Sequence, residues 1–247
     1  MRTLIFVKKE LLDAMRSGKI LTLGIVFVLF GIMNPAIAKL TPWMMELLAD
    51  QLAEAGMTVG EVMIDASTSW IQFFKNIPMA LIVYVLVCGG IFTKEYQSGT
   101  LVLMLTKGLQ RCQVVIAKAT VLLLGWTIGY FVCFGITYGY NAYFWDNSVM
   151  TNLTNSILSW WLFGIFAVTL VIFFSTFLRS TTGVLLGTIA VIAVSYILNL
   201  IPKLAPYTPT SLMSVTDGNV VEAIVFTVTL SAVLLILSVP LMNKKSM

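Results

Sequence analysis

Histidine is absent from this 247-residue chain, and charged residues make up only 11% of it. The first absence removes the commonest metal ligand and the usual general base near neutral pH. The second, set beside a hydrophobic share of 59%, is far from the roughly 25% charged and 45–50% apolar residues of a soluble domain. Mean hydropathy is +0.95, so water is the wrong solvent for the chain. Cysteine is scarce as well. Cys88, Cys112 and Cys133 are an odd number, two of them inside apolar runs, and they read as small unpaired hydrophobes rather than as a disulfide or metal set. No G-x-x-x-x-G-K-[ST] string occurs, and no acidic pair or nucleophile motif falls within the apolar runs. Neither nucleotide hydrolysis nor proton-relay chemistry has visible carriers here.

What is present is a series of apolar runs at about 20–38, 77–92, 114–138, 157–178, 183–201 and 220–242. At a rise of ~1.5 Å per residue, ~20 residues span the hydrocarbon core, so each run is about long enough to cross. The fold class is therefore an all-α polytopic membrane protein with six transmembrane helices, and the connecting segments leave no room for a nucleotide-binding domain. Residues 1–19 repeat apolar side chains at helical spacing through Leu4, Val7, Leu11, Leu12 and Met15, with Arg2, Lys9 and Arg16 turned elsewhere. That pattern predicts an amphipathic helix lying along the membrane surface. Asn34-Pro35 is expected to bend or end the first span. Ala36-Ile37-Ala38 resembles a signal-peptide cleavage site, but the long amphipathic region before it favours a retained anchor. Residues 39–76 carry Glu46, Asp50, Glu54, Glu61 and Asp65 and read as an acidic outer loop, with a helix over Pro42 to Ala55 and a break near Gly56.

Lysine and arginine set the expected orientation. With the N-terminus inside, Arg2, Lys8, Lys9, Arg16, Lys19, Lys94, Lys107, Arg111, Lys118, Arg179, Lys244 and Lys245 are cytoplasmic, and only Lys39, Lys75 and Lys203 are outside. Twelve against three is a positive-inside bias that places both termini, including the tail 243–247, in the cytoplasm. It also accounts for the net charge of +4 without a nucleic-acid partner.

The connection at 94–118, KEYQSGTLVLMLTKGLQRCQVVIAK, is polar at its ends and apolar around Leu101, Leu103, Met104 and Leu105. A free loop would not need that middle. A short helix lying against the membrane or in the groove of another protein would, with Ser98-Gly99-Thr100 as the turn that starts it. The alternative is a solvated basic loop that follows the charge bias.

These residues resemble the permeases of the ABC-2 class, whose first cytoplasmic loop carries an acid, Ser-Gly-Thr-Leu, a Leu-rich turn, a Pro-x-x-Arg step and a Lys at the next helix. The matching positions are Glu95, Ser98-Gly99-Thr100-Leu101, Leu103 to Leu105, Arg111 and Lys118, with Gly108 where the family often has proline. The surface helix at the start, Phe177-Leu178-Arg179-Ser180 and residues 201–212 (IPKLAPYTPTSL) extend the resemblance over most of the chain. It implies a dimer of permease subunits, each docking one ABC ATPase that holds the ATP and Mg, with no cofactor on this chain. The implied coupling helix would use Lys94, Glu95, Tyr96, Gln97, Ser98, Gly99, Thr100, Leu101, Leu105 and Arg111.

GxxxG spacings at Gly125/Gly129 and Gly183/Gly187 allow close helix packing, within a subunit or between two. Tyr138, Tyr143, Trp145, Trp160 and Trp161 gather where the third and fourth spans are expected to meet the outer face, as an interfacial belt or an exit lined by aromatics. The resemblance implies an exporter permease in a bacterial plasma membrane, and an apolar, aromatic-rich interior favours hydrophobic or amphipathic cargo, such as an antimicrobial peptide. A membrane enzyme acting on lipids or peptides, and a non-transporting immunity or sensor protein, are the rivals.

Overall fold

The computed structural model describes residues 2–54, 65–101, 106, 108, 110–145, 152–213 and 220–244. Among these the secondary structure is helical, with no strand. The order is α1 (Arg2–Arg16), α2 (Lys19–Glu54), α3 (Ala66–Cys88), α4 (Thr93–Gln97), α5 (Arg111–Phe144), α6 (Leu153–Phe177), α7 (Thr181–Asn199) and α8 (Val220–Lys244). Two 3-10 turns, Ala205–Tyr207 and Pro209–Met213, lie between α7 and α8. Six of the helices, α2, α3, α5, α6, α7 and α8, are long and apolar enough to cross a membrane.

The chain divides into two compact units, one of residues 1–23, 82–128 and 153–247, the other of 24–81 and 129–152. In the first unit α6 is the buried centre: Phe163, Phe166, Ala167, Val168, Leu170, Val171 and Ile172 are almost wholly covered. It packs chiefly against α8, and also against α7 and the second 3-10 turn. Two glycines let bulky rings come close here, Gly164 under the Trp126 indole and Gly187 under Phe174. Ser180 caps α7, its hydroxyl accepting from the Gly183 amide at 3.1 Å. The turns of 201–213 fold inward, with Thr208, Pro209, Thr210 and Leu212 buried and the Thr210 hydroxyl donating to the Ser195 carbonyl at 3.0 Å.

In the second unit α2 does not end at Asn34-Pro35, one of the two outcomes expected there, but runs on through Pro35 and Pro42 to Glu54. Proline removes the amide that would bond the carbonyl four residues earlier. For Pro35 that carbonyl belongs to Gly31, and the Thr137 hydroxyl donates to it at 3.1 Å. The same hydroxyl accepts from Asn34 Nδ2 at 3.0 Å, and Asn34 Oδ1 accepts from Asn76 Nδ2 at 2.8 Å. A neutral polar network on α2, α3 and α5 thus repairs the helix where lipid could not. Around it, Trp70 stacks on Phe134 and Phe73 meets Tyr130 edge-on, while the Phe27 ring lies against Gly129. Asp65 starts α3, its carboxylate accepting from the Ser67 and Thr68 amides at 3.0 and 3.3 Å.

Candidate functional site

α1 buries a narrow face of itself, Phe6 and Glu10, one turn apart. Leu4, Ile5, Leu11, Leu12 and Met15 stay exposed. Glu10 is 4% exposed and Lys118, seven residues into α5, is 1% exposed in its side chain. Neither could be buried alone. Lys118 Nζ donates to Glu10 Oε2 at 2.8 Å and to the Ile91 carbonyl at 3.2 Å. It lies 3.0 Å from Glu95 Oε2 as an ion-pair contact, without the alignment of a hydrogen bond. Two of its three hydrogens are thus taken by hydrogen-bond acceptors, and the contact with Glu95 is one of charge alone. The Phe92 ring completes the enclosure 5.4 Å from the ammonium.

Lys9 closes the cluster from the outer side, donating to Glu10 Oε1 at 2.9 Å and to Glu95 Oε1 at 3.3 Å. Burial is the largest single influence on Glu10 and pushes its carboxyl up, but the charge and hydrogen bond of Lys118, followed by those of Lys9, outweigh it and hold the group below its ordinary 4.5. For Lys9, burial pulls down, and Glu10 with Glu95 more than restores the ammonium, leaving it above 10.5. Two lysines and two carboxylates thus join α1, α4 and α5 of the first unit in one charge-balanced cluster.

The cluster fixes the segment that follows. α4 begins directly after the Gly89-Gly90 turn, where Ile91 N bonds to the Cys88 carbonyl at 3.0 Å. Thr93 is buried, 2.6 Å from the Thr181 hydroxyl, and Tyr96 donates to the Thr176 carbonyl at 3.4 Å. Gly99, at φ +69°, supplies the left-handed step that ends α4, its amide bonding to the Tyr96 carbonyl at 3.3 Å. Ser98 and Thr100 hydroxyls meet at 2.9 Å, and the chain is helical again at Thr100. Arg111, at the start of α5, donates to the Met242 carbonyl at 2.9 Å.

Among the residues expected to couple, Lys94, Gln97, Ser98, Gly99 and Thr100 are exposed, whereas Glu95 and Tyr96 are half-buried and held from within. Leu101 differs from the expectation of an apolar face offered outward: it is 1% exposed, covered by this chain itself. Leu103, Met104, Leu105 and Lys107 lie outside the described residues. Gly125 lies against the Tyr84 hydroxyl, which donates to the Leu122 carbonyl, and Gly183 sits over its own cap at Ser180. Gly125 and Gly183 thus each have a close neighbour within this chain. Tyr138, Tyr143 and Trp145 belong to the second unit, and Trp160 and Trp161 to the first. Tyr143 is 82% exposed and Trp160 only 8%, so the five aromatics do not share one environment. Trp161 donates to Thr127 at 3.2 Å and accepts, through its carbonyl, from Trp126 at 3.1 Å.

The sequence reading missed Lys9 and Glu10 as partners of Glu95 and Lys118. A signal was available. Lys118 stands among Val114, Val115, Ile116, Val121 and Leu122, and a lysine in such a run needs a carboxylate brought to it.

A family model described as ABC-2 family transporter protein matches residues 4–238. A search of curated proteins returns no match to the chain.

Proposed function

The chain belongs to the ABC-2 transporter family, a class of membrane transport subunits, and on that premise we propose that it is an exporter permease whose exposed 94–100 segment receives a separate ABC ATPase. The observation that supports this most is the contrast within that segment. Lys94, Gln97, Ser98, Gly99 and Thr100 face outward, while Thr93, Glu95, Tyr96 and Leu101 anchor the same short stretch to α1, α5, α6 and the start of α7 or bury it within the chain. A surface anchored in this way transmits a push instead of absorbing it. ATP closes the ATPase, the segment moves, and α1 moves with it through Lys9 and Glu10.

In this reading α1 lies on the cytoplasmic membrane surface with Leu4, Ile5, Leu11, Leu12 and Met15 in the lipid, both termini are cytoplasmic, and two permeases pair. Among the described residues, the buried polar side chains of the second unit, Asn34, Ser69, Thr137 and Asn141, are all neutral, which suits hydrophobic or amphipathic cargo such as an antimicrobial peptide. The test is co-expression with the ABC ATPase encoded nearest to it in the genome, followed by copurification and ATP turnover in reconstituted membranes. Association and substrate-stimulated turnover are expected. A chain that inserts, binds no ATPase and moves no cargo would overturn the reading.

A further inference from the structure

Beside the ion cluster, within the first unit, lies a cleft of about 130 Å³ walled by α1, the start of α2, the end of α3 with the turn after it, α4 and α5. Its floor is apolar, formed by Leu23, Val121 and Leu122 together with Cys88. Three acids, Glu10, Asp13 and Glu95, and three lysines, Lys19, Lys94 and Lys118, also line it, so the lining sums to zero. Glu10, Glu95 and Lys118 are committed to one another. Asp13, Lys19 and Lys94 have no ion-pair partner among the described residues, and Asp13 and Lys94 are exposed.

We propose that this cleft binds the headgroup of a zwitterionic aminophospholipid, with its phosphate taken by Lys19 and Lys94, its ammonium by Asp13 and the upper part of one acyl chain by the apolar floor. The chemistry follows from the lining. A water cluster would not match an apolar floor, and a soluble anion would gain nothing from it. Of the uncommitted groups, an anionic lipid would engage Lys19 and Lys94 but leave Asp13 without a counter-charge, whereas a phosphoethanolamine group sets its phosphate against the lysines and its ammonium against Asp13. A choline headgroup lacks the N–H groups that Asp13 would accept from. The place is right as well, because Lys19 is the first residue of the first candidate span, the level at which headgroups sit. The proposal needs no ATPase partner, so it stands or falls apart from the exporter reading.

Native mass spectrometry of the full chain, released from detergent with dioleoyl-phosphatidylethanolamine, -phosphatidylcholine or -phosphatidylglycerol, tests it. One phosphatidylethanolamine should persist on the protein, with about two- to five-fold preference over the other two, the range expected of partly exposed charge contacts. Lys19→Glu should abolish that preference, and Asp13→Lys should shift it towards phosphatidylglycerol. Lys8→Glu, an exposed change on α1 outside the cleft, should leave it unaltered. Lys19→Met and Asp13→Asn replace the charge reversals should either of these disturb elution or melting, and each should weaken retention in the same direction. Equal retention of the three lipids by the unaltered chain, or an unchanged preference in the folded Lys19 and Asp13 variants, would overturn the proposal.

Discussion

Thr137 donates its hydroxyl to the carbonyl oxygen of Gly31 at 3.1 Å, the oxygen that Pro35 leaves without an amide one turn on. Side chain and backbone are 106 residues apart in sequence, and the pairing lets one helix carry a proline through its interior.

Thr137→Val should therefore cost about 1–3 kcal/mol by leaving the Gly31 carbonyl and the Asn34 amide group without their partner. Pro35→Ala restores a backbone donor to Gly31. The Thr137→Val penalty, read as the fall in melting temperature in detergent, should be smaller in the Pro35→Ala background. An equal penalty in both backgrounds would show that the carbonyl is not what Thr137 serves.

Lys118→Met should be the most damaging single change at the ion cluster, because Glu10 and Glu95 would then face each other with only the half-exposed Lys9 between them. Removing one partner from a buried ion pair typically costs about 3–5 kcal/mol. Glu10→Gln leaves Lys118 its contact with Glu95 and should cost less. The double variant should lose less stability than the sum of the two, which a melting-temperature cycle would measure.

Acid and base should act on the cluster from opposite ends. Glu10 is held below its ordinary 4.5, so the stability it contributes is complete above that value and is lost as pH falls through its lower folded value. Lys9 is raised above 10.5, so its contribution is complete below that value and is lost as pH rises beyond it. Between these limits the melting temperature should owe no pH dependence to either group. Glu10→Gln should flatten the acid limb, and an unchanged acid limb would remove Glu10 from its cause.

At the proposed docking surface, Gln97→Arg and Thr100→Arg alter exposed side chains and should leave insertion and melting unchanged. Association with the ATPase should fall about ten-fold or more, as a bulky charge placed in an interface core does. Leu101→Asp should instead destabilise the chain itself, because that residue is buried within it. ATPase copurification beside a melting curve separates the two effects.

The proposed orientation predicts that cysteines introduced at Glu54 and Asp146 react with an impermeant reagent on intact cells and that one at Gly108 does not. Labelling at Gly108 from outside would invert or break the topology. An intact mass beginning at Met1, rather than at Lys39, is expected of a retained anchor.

The six long helices were legible because length and apolarity are properties of a segment and need no knowledge of its neighbours. Pro35 shows the limit: a proline reads locally as a stop, and the donor that cancels it lies on α5, visible only after folding. Lys118 shows another. Its charge agrees with the positive-inside bias, yet its burial is determined by Glu10 on a helix that the sequence marks chiefly as amphipathic. Leu101 fitted the pattern of an outward apolar face until its own chain was seen to cover it. The Ser98-Gly99-Thr100 turn was readable because glycine at positive φ leaves a local signature.

The ion cluster has an electrical consequence. A transmembrane voltage does work only on charge that is carried through the field. Lys9 and Lys118 against Glu10 and Glu95 sum to zero, and their contacts hold them as one body. Displacing that body moves no net charge, so in the proposed motion of α1 with α4 the resting potential of the cell can act only on the charges outside the cluster, Arg2, Lys8, Asp13, Arg16 and Lys94.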